Sequence, residues 1–166
     1  MLKLKVDLWS ESMEIRSKII NNKTGKYEAI DLIFDTGAYL TVIDSDILAR
    51  AGYDLNSAKI SSVNVVGVKK IPAREVLLKG FSFVDLYGNS HPIGPVLVYA
   101  IDMSEGFVSG VVGLNIIKEF ETKIKFGCPT TIELTPTFDI SQPVPFDHFI
   151  LNESRFGLWA EHSISA

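Results

Sequence analysis

The chain is 166 residues long, 46% hydrophobic and 22% charged, enough to bury one sizeable core and within the range of a single domain. Its net charge of -4 excludes nucleic acid as a partner held through phosphates, which needs a basic surface. No apolar run reaches the ~18 residues of a membrane span and the first seven residues have no signal-peptide pattern, so no membrane partner and a cytoplasmic setting are expected.

In chain order, Leu2, Leu4, Val6 and Leu8 alternate with polar residues, the period of a half-buried strand. Residues 15–20 read similarly. A turn cluster at 21–25 separates them from a strand at 27–34, which predicts a hairpin over 14–34. Residues 41–43 continue as a strand, and 45–51 form a short helix with Gly52 at a C-cap position. Residues 60–66 and 68–78 are strand-like with Gly67 at the break, and Pro72 suggests an edge or bend on the returning strand. Residues 81–86 make another strand before a turn at 87–90. His91 reads as a surface loop residue, and His91, His148 and His162 lack metal-ligand spacing, so no metal or other cofactor is expected. Residues 96–101 read as a continuous buried strand, followed by a loop in which Asp102 is a cap. Asn115 is a candidate N-cap for a helix running to Phe120. Residues 121–126 and 130–134 predict a hairpin about Gly127, Cys128 and Pro129; Cys128, the single cysteine, is a plain core or loop thiol.

Within this pattern, residues 32–43 read Leu-Ile-Phe-Asp-Thr-Gly-Ala-Tyr-Leu-Thr-Val-Ile. An apolar strand delivers one carboxylate, Asp35, into a tight turn, and a second apolar run follows. A carboxylate at the end of a buried strand is costly unless hydrogen-bonded or put to chemical use. Asp-Thr-Gly is also an ordinary turn sequence. A second stretch sets it apart: Gly110-Val111-Val112-Gly113-Leu114-Asn115-Ile116-Ile117, with Gly113 lying 78 residues after Asp35.

The two stretches together resemble the retropepsin-like aspartic proteases, over roughly residues 28–126. That resemblance implies an all-β fold, a closed barrel with a flap hairpin and one or two short helices, as a protease domain over 1–135; residues 136–166 lie outside the resemblance, and their aromatic content predicts a C-terminal extension packed on the domain or dimer. It implies an aspartic endopeptidase in which two carboxylates share a proton, one taking a proton from water while the other donates to the scissile carbonyl. One Asp-Thr-Gly per chain implies an isologous homodimer with one Asp35 from each subunit. Thr36 would send its hydroxyl across the axis, and Gly37 would permit close backbone approach. Ala38, where pepsin-like enzymes often have Ser, brings no hydroxyl, so activity is expected at mildly rather than strongly acidic pH.

By the same resemblance, Ala38, Tyr39, Val65, Val66, Gly67, Val111 and Val112 are candidate substrate-binding residues, with the flap over 60–78 and the terminal hairpin the candidate dimer sheet. Tyr39 and Leu114 stand where retroviral enzymes place an acidic residue and its supporting Arg, so specificity does not carry over from them. The alternative is a non-catalytic peptide- or protein-binding module on the same fold. The last 31 residues are too apolar for a disordered tail; one expectation is that they cover part of the cleft or are themselves cleaved, so that deleting 139–166 would raise activity.

Overall fold

The computed structural model describes residues 1–9, 12–65, 68–103 and 108–137. Its strands are β1 (Leu2–Trp9), β2 (Ser12–Ile20), β3 (Tyr27–Phe34), β4 (Val42–Asp44), β5 (Lys59–Val65), β6 (Val68–Val84), β7 (Ser90–Ile101), β8 (Gly110–Val112), β9 (Phe120–Lys125) and β10 (Thr131–Pro136). Two short helices interrupt them, α1 (Ser45–Arg50) and α2 (Leu114–Ile117). The fold is all-β.

The strands follow the order β5-β6-β7-β4-β8-β3-β2-β1-β10-β9, and a further pairing of β6 with β2 joins the order back on itself. Six strands, β2, β3, β8, β4, β7 and β6, therefore make a ring. Most neighbours are antiparallel, but β3 runs parallel to β8 and β4 parallel to β7. β1 serves two sheets: Leu2 to Lys5 pair with β10, and Val6 to Trp9 pair with β2. It thereby ties the terminal β9–β10 hairpin to the ring.

Alternation explains the interior. Ile15 and Ile19 on β2, Leu32 and Phe34 on β3, and Leu4 on β1 are almost fully buried, each worth about 1.5–3 kcal/mol by burial alone. Phe81, Phe83 and Phe120 add edge-to-face contacts, at 5.4 Å and 87° for the first pair and 6.0 Å and 71° for the second. A smaller cluster lies apart from this core: Val42, Val63, Ala73 and Ile101, with Leu40, Ile71, Tyr99, Met103 and Val111 packed against it. It joins the middle of the β5–β6 hairpin to β4, β7 and β8.

Several local expectations change. β6 is one 17-residue strand rather than two, its pairing with β7 shifting register between Leu78 and Phe81 and again between Phe81 and Ser82. Such bulges break the period of two without ending the strand. β7 begins at Ser90, so His91 lies in a strand, and Val96, Val98 and Ala100 are buried while Leu97 and Tyr99 are only partly so. Pro72 pairs with Ser62 in the hairpin beyond the reach of β7, where its missing N–H costs no bond to that strand. α1 is capped by Asp44, whose Oδ1 accepts from Asp46 N at 2.8 Å, and ends ahead of Gly52 at φ 81°. The terminal hairpin is formed as β9 and β10, and Cys128 is exposed in its turn. Val66 and Gly67, expected at the tip of a flap, and the extension from residue 138 onward lie outside the described residues. No helix among the described residues is long and apolar enough to cross a membrane.

Candidate active site

Asp35 follows directly on β3. The parallel register of Ile33 with Val111 and Phe34 with Val112 carries the strand end alongside β8, and Asp35 N donates to Val112 O at 3.1 Å. Beyond that bond the chain turns: Ala38 N donates to Asp35 O at 3.3 Å, and Gly37 N donates to Asp35 Oδ1 at 2.7 Å. A main-chain donor thus fixes one carboxylate oxygen while the side chain stays partly exposed. A Cβ on Gly37 would sit 3.1 Å from that oxygen. Thr36 and Gly37 are exposed, at the outermost point of the turn.

The rest of the loop is sewn to the second motif. Ala38 O accepts from Leu114 N at 2.7 Å, and Tyr39 O accepts from Asn115 N at 3.0 Å. Asn115 Oδ1 accepts from both Thr41 N, at 2.8 Å, and Thr41 Oγ1, at 2.7 Å, while Asn115 Nδ2 donates to Leu97 O at 3.0 Å. Thr41 Oγ1 in turn accepts from Gly113 N at 3.1 Å. Thr41 and Asn115 are 0% and 2% exposed, and with these bonds made, their burial leaves few polar groups orphaned.

Glycine is required at both ends of β8 by close approach. A Cβ on Gly113 would come within 2.5 Å of the Leu40 carbonyl carbon and oxygen, and one on Gly110 within 2.3 Å of Val42 O. Gly113 rather than Asn115 is the N-cap of α2, which ends at Ile117. The amide that would have capped a helix is drawn inward, because the loop's own N–H and hydroxyl groups lie there. This corrects the expectation of a longer, Asn-capped helix reaching Phe120, which begins β9 instead.

Of the expected site residues, Asp35, Thr36, Gly37, Ala38, Tyr39, Val111 and Val112 come together on this loop and β8. Tyr39 is 64% exposed even though its carbonyl is held. Val111 is partly exposed and belongs to the smaller cluster, but Val112 is completely buried in the main core. Its side chain supports the loop from beneath rather than facing a substrate, because adjacent strand residues point to opposite faces. Val65 ends β5 and pairs with Val68; Val66 and Gly67 lie outside the described residues. The pairing of Thr41 with Asn115 was not foreseen. Its only signal in the sequence is a polar residue at the head of each of two otherwise apolar runs. Among the described residues, no group of three or more His, Cys, Asp or Glu side chains could hold a metal ion.

Comparison with solved structures agrees with this architecture. A retropepsin-like aspartic protease from Rickettsia conorii matches with a TM-score of 0.53 and 14% identity, over 80% of this chain and 87% of that one. The retroviral protease-like domain of Ddi1 from Leishmania major matches with a TM-score of 0.44 and 14% identity, over 78% of this chain and 98% of the other. Neither a protein-family model nor a curated protein sequence matches the chain. The chain has the retropepsin-like fold.

Proposed function

We propose that this protein is an aspartic endopeptidase that acts as a homodimer, with the two Asp35 carboxylates meeting on a two-fold axis. The observation that carries the reading is the Asp35 turn itself: a partly exposed carboxylate with one oxygen fixed by Gly37 N at 2.7 Å, on a loop whose carbonyls and hydroxyl are fixed by the second motif. A turn needed only for chain reversal does not require that second layer.

In the proposed reaction the two carboxylates hold one proton between them, since like charges in contact do not both ionise. The ionised one takes a proton from water, the water oxygen attacks the peptide carbonyl carbon, and the protonated one donates to the carbonyl oxygen. Collapse of the tetrahedral adduct breaks the C–N bond, with the leaving amine taking up a proton. Thr36 and Gly37, exposed in the single chain, would meet their symmetry mates. Ala38, Tyr39 and Val111, together with the β5–β6 hairpin as a lid, would face an extended peptide with apolar side chains beside the scissile bond.

The test is cleavage of a mixed peptide library between about pH 4 and about pH 7 by wild type and Asp35→Asn, at a concentration where the dimer is verified. Cleavage by wild type that vanishes in the variant is the expected result. A verified dimer that binds peptides without cutting them would replace this reading with a binding module.

A further inference from the structure

The outer face of the terminal sheet carries an ordered set of lysines. Lys3 on β1 and Lys123 on β9 both stand opposite Glu133 on β10, while Lys5 and Lys125 both stand opposite Thr131. Two lysine pairs therefore flank β10, with side chains between 40% and 65% exposed. Glu133, at the centre, is 7% exposed. It accepts from Lys125 Nζ at 2.8 Å and lies 3.8 Å from Lys3 Nζ, and these lysines, Lys125 first, hold its carboxyl below the ordinary range. Lys5 pairs with Asp7 at 2.7 Å and Lys123 with Glu121 at 3.1 Å. Four lysines thus share three carboxylates, leaving a positive face on an acidic chain.

The Lys5–Asp7 and Lys123–Glu121 pairs are exposed on both sides, so an incoming carboxylate exchanges with them at little cost. The lysine stems also supply apolar cover, and Phe126, just past the end of β9, is 77% exposed.

The same chain contains an occupant of matching chemistry. β10 ends at Pro136, and Thr137 is tied to Glu119 O through its N, at 3.0 Å, and its Oγ1, at 2.9 Å. Residues 138–166 therefore continue from the end of this very sheet. They carry Asp139, Asp147, Glu153 and Glu161 against Arg155 alone, so -3 of the chain's net -4 lies there, and they include Phe138, Phe146, Phe149, Phe156 and Trp159. The catalytic turn offers that segment a carboxylate, Asp35; the sheet offers four ammonium groups.

We propose that residues 138–166 dock on the lysine face of β1, β10 and β9 of their own chain, acidic side chains on Lys3, Lys5, Lys123 and Lys125, and aromatic ones on the lysine stems and Phe126. This inference is independent of whether Asp35 catalyses anything.

Zero-length carbodiimide cross-linking of the full chain, prepared as an equal mixture of light and heavy isotope-labelled protein and read by mass spectrometry, tests it. The expected products join those lysines to Asp139, Asp147, Glu153 or Glu161 within one isotope class, and they diminish at high salt as the charges are screened. Mixed light–heavy links as frequent as links within one class, the pattern of random pairing between copies, would assign the face to a second copy's segment and overturn the proposal, as would the absence of any link from these lysines to the segment. As a second readout, Lys123→Gln/Lys125→Gln should speed amide exchange throughout 138–166 several-fold while leaving β2 and β3 unchanged. Unaltered exchange in the segment would overturn the proposal too.

Discussion

The Asp35 loop and the β5–β6 hairpin flank the same apolar cluster but are held in opposite ways. In the loop, main-chain groups of Asp35, Ala38, Tyr39 and Thr41 are bonded to β8, α2 or Asn115, and glycine at 113 lets the two segments touch. β5 pairs with β6 alone, its Ile60 is 73% exposed, and the hairpin is joined to the rest by the pairing of β6 with β7 from Arg74 onward and by the cluster around Val63 and Ala73. Over-determined backbone suits a group that must keep one geometry, and lightly packed backbone suits one that must give way to a ligand.

The strongest way to break the comparison is at its chemical centre. Asp35→Asn keeps an oxygen for Gly37 N, so thermal stability should change little while peptide cleavage falls at least about 100-fold. A variant that loses both would mean that the carboxylate is structural. Next, Gly113→Ala drives a Cβ into the Leu40 carbonyl and should cost about 3 kcal/mol in denaturant unfolding. Asn115→Ala removes the acceptor of two buried donors and the donor to Leu97 O, for about 2–3 kcal/mol, whereas Thr41→Val should cost about 1–2 kcal/mol. In both, amide exchange at residues 38–41 should rise more than in β2. Val63→Ala, by contrast, should lower global stability by only about 1 kcal/mol while exchange in β5 quickens markedly; a uniform rise across the chain would erase the distinction drawn here.

The smallest effect concerns pH, at the β6–β7 turn. Asp85 pairs with His91 Nε2 at 2.8 Å and also accepts from Asn89 Nδ2, at 3.1 Å, and from Tyr87 N and Asn89 N, each at 2.8 Å. These bonds, that of His91 foremost, hold its carboxyl well below the usual range although burial opposes them. Because the folded value lies under the unfolded one, the stabilisation is complete above about pH 4 and fades as pH falls further. Asp85→Asn should therefore lower the melting temperature modestly at neutral pH, where these bonds act in full, and flatten that acid limb in a pH series of melting curves.

Much of this was legible in residue order. The run from Leu32 to Phe34 ending in Asp35, the Gly52 stop of α1 and the β9–β10 hairpin follow from local periodicity and turn chemistry. What local reading misses is whatever depends on a distant partner. Asn115 looks like a cap because nothing nearby reveals that Thr41, 74 residues earlier, claims its oxygen. Val112 looks like cleft lining until the core beneath it is seen. β6 reads as two strands because its bulges interrupt alternation while its hydrogen bonds to β7 resume.

That last strand works as a cantilever. Its root, Phe81 to Phe83, is clamped between β2 and β7, its middle is bonded to β7 from Arg74 to Leu78, and its outer end from Val68 to Ala73 pairs with β5 alone, with Ile71 and Ala73 packed on the smaller cluster. A load applied at the outer end is borne as bending of one uninterrupted beam, with the deflection greatest far from the clamp. Stiffness at the root and compliance at the end thus come from a single stretch of chain.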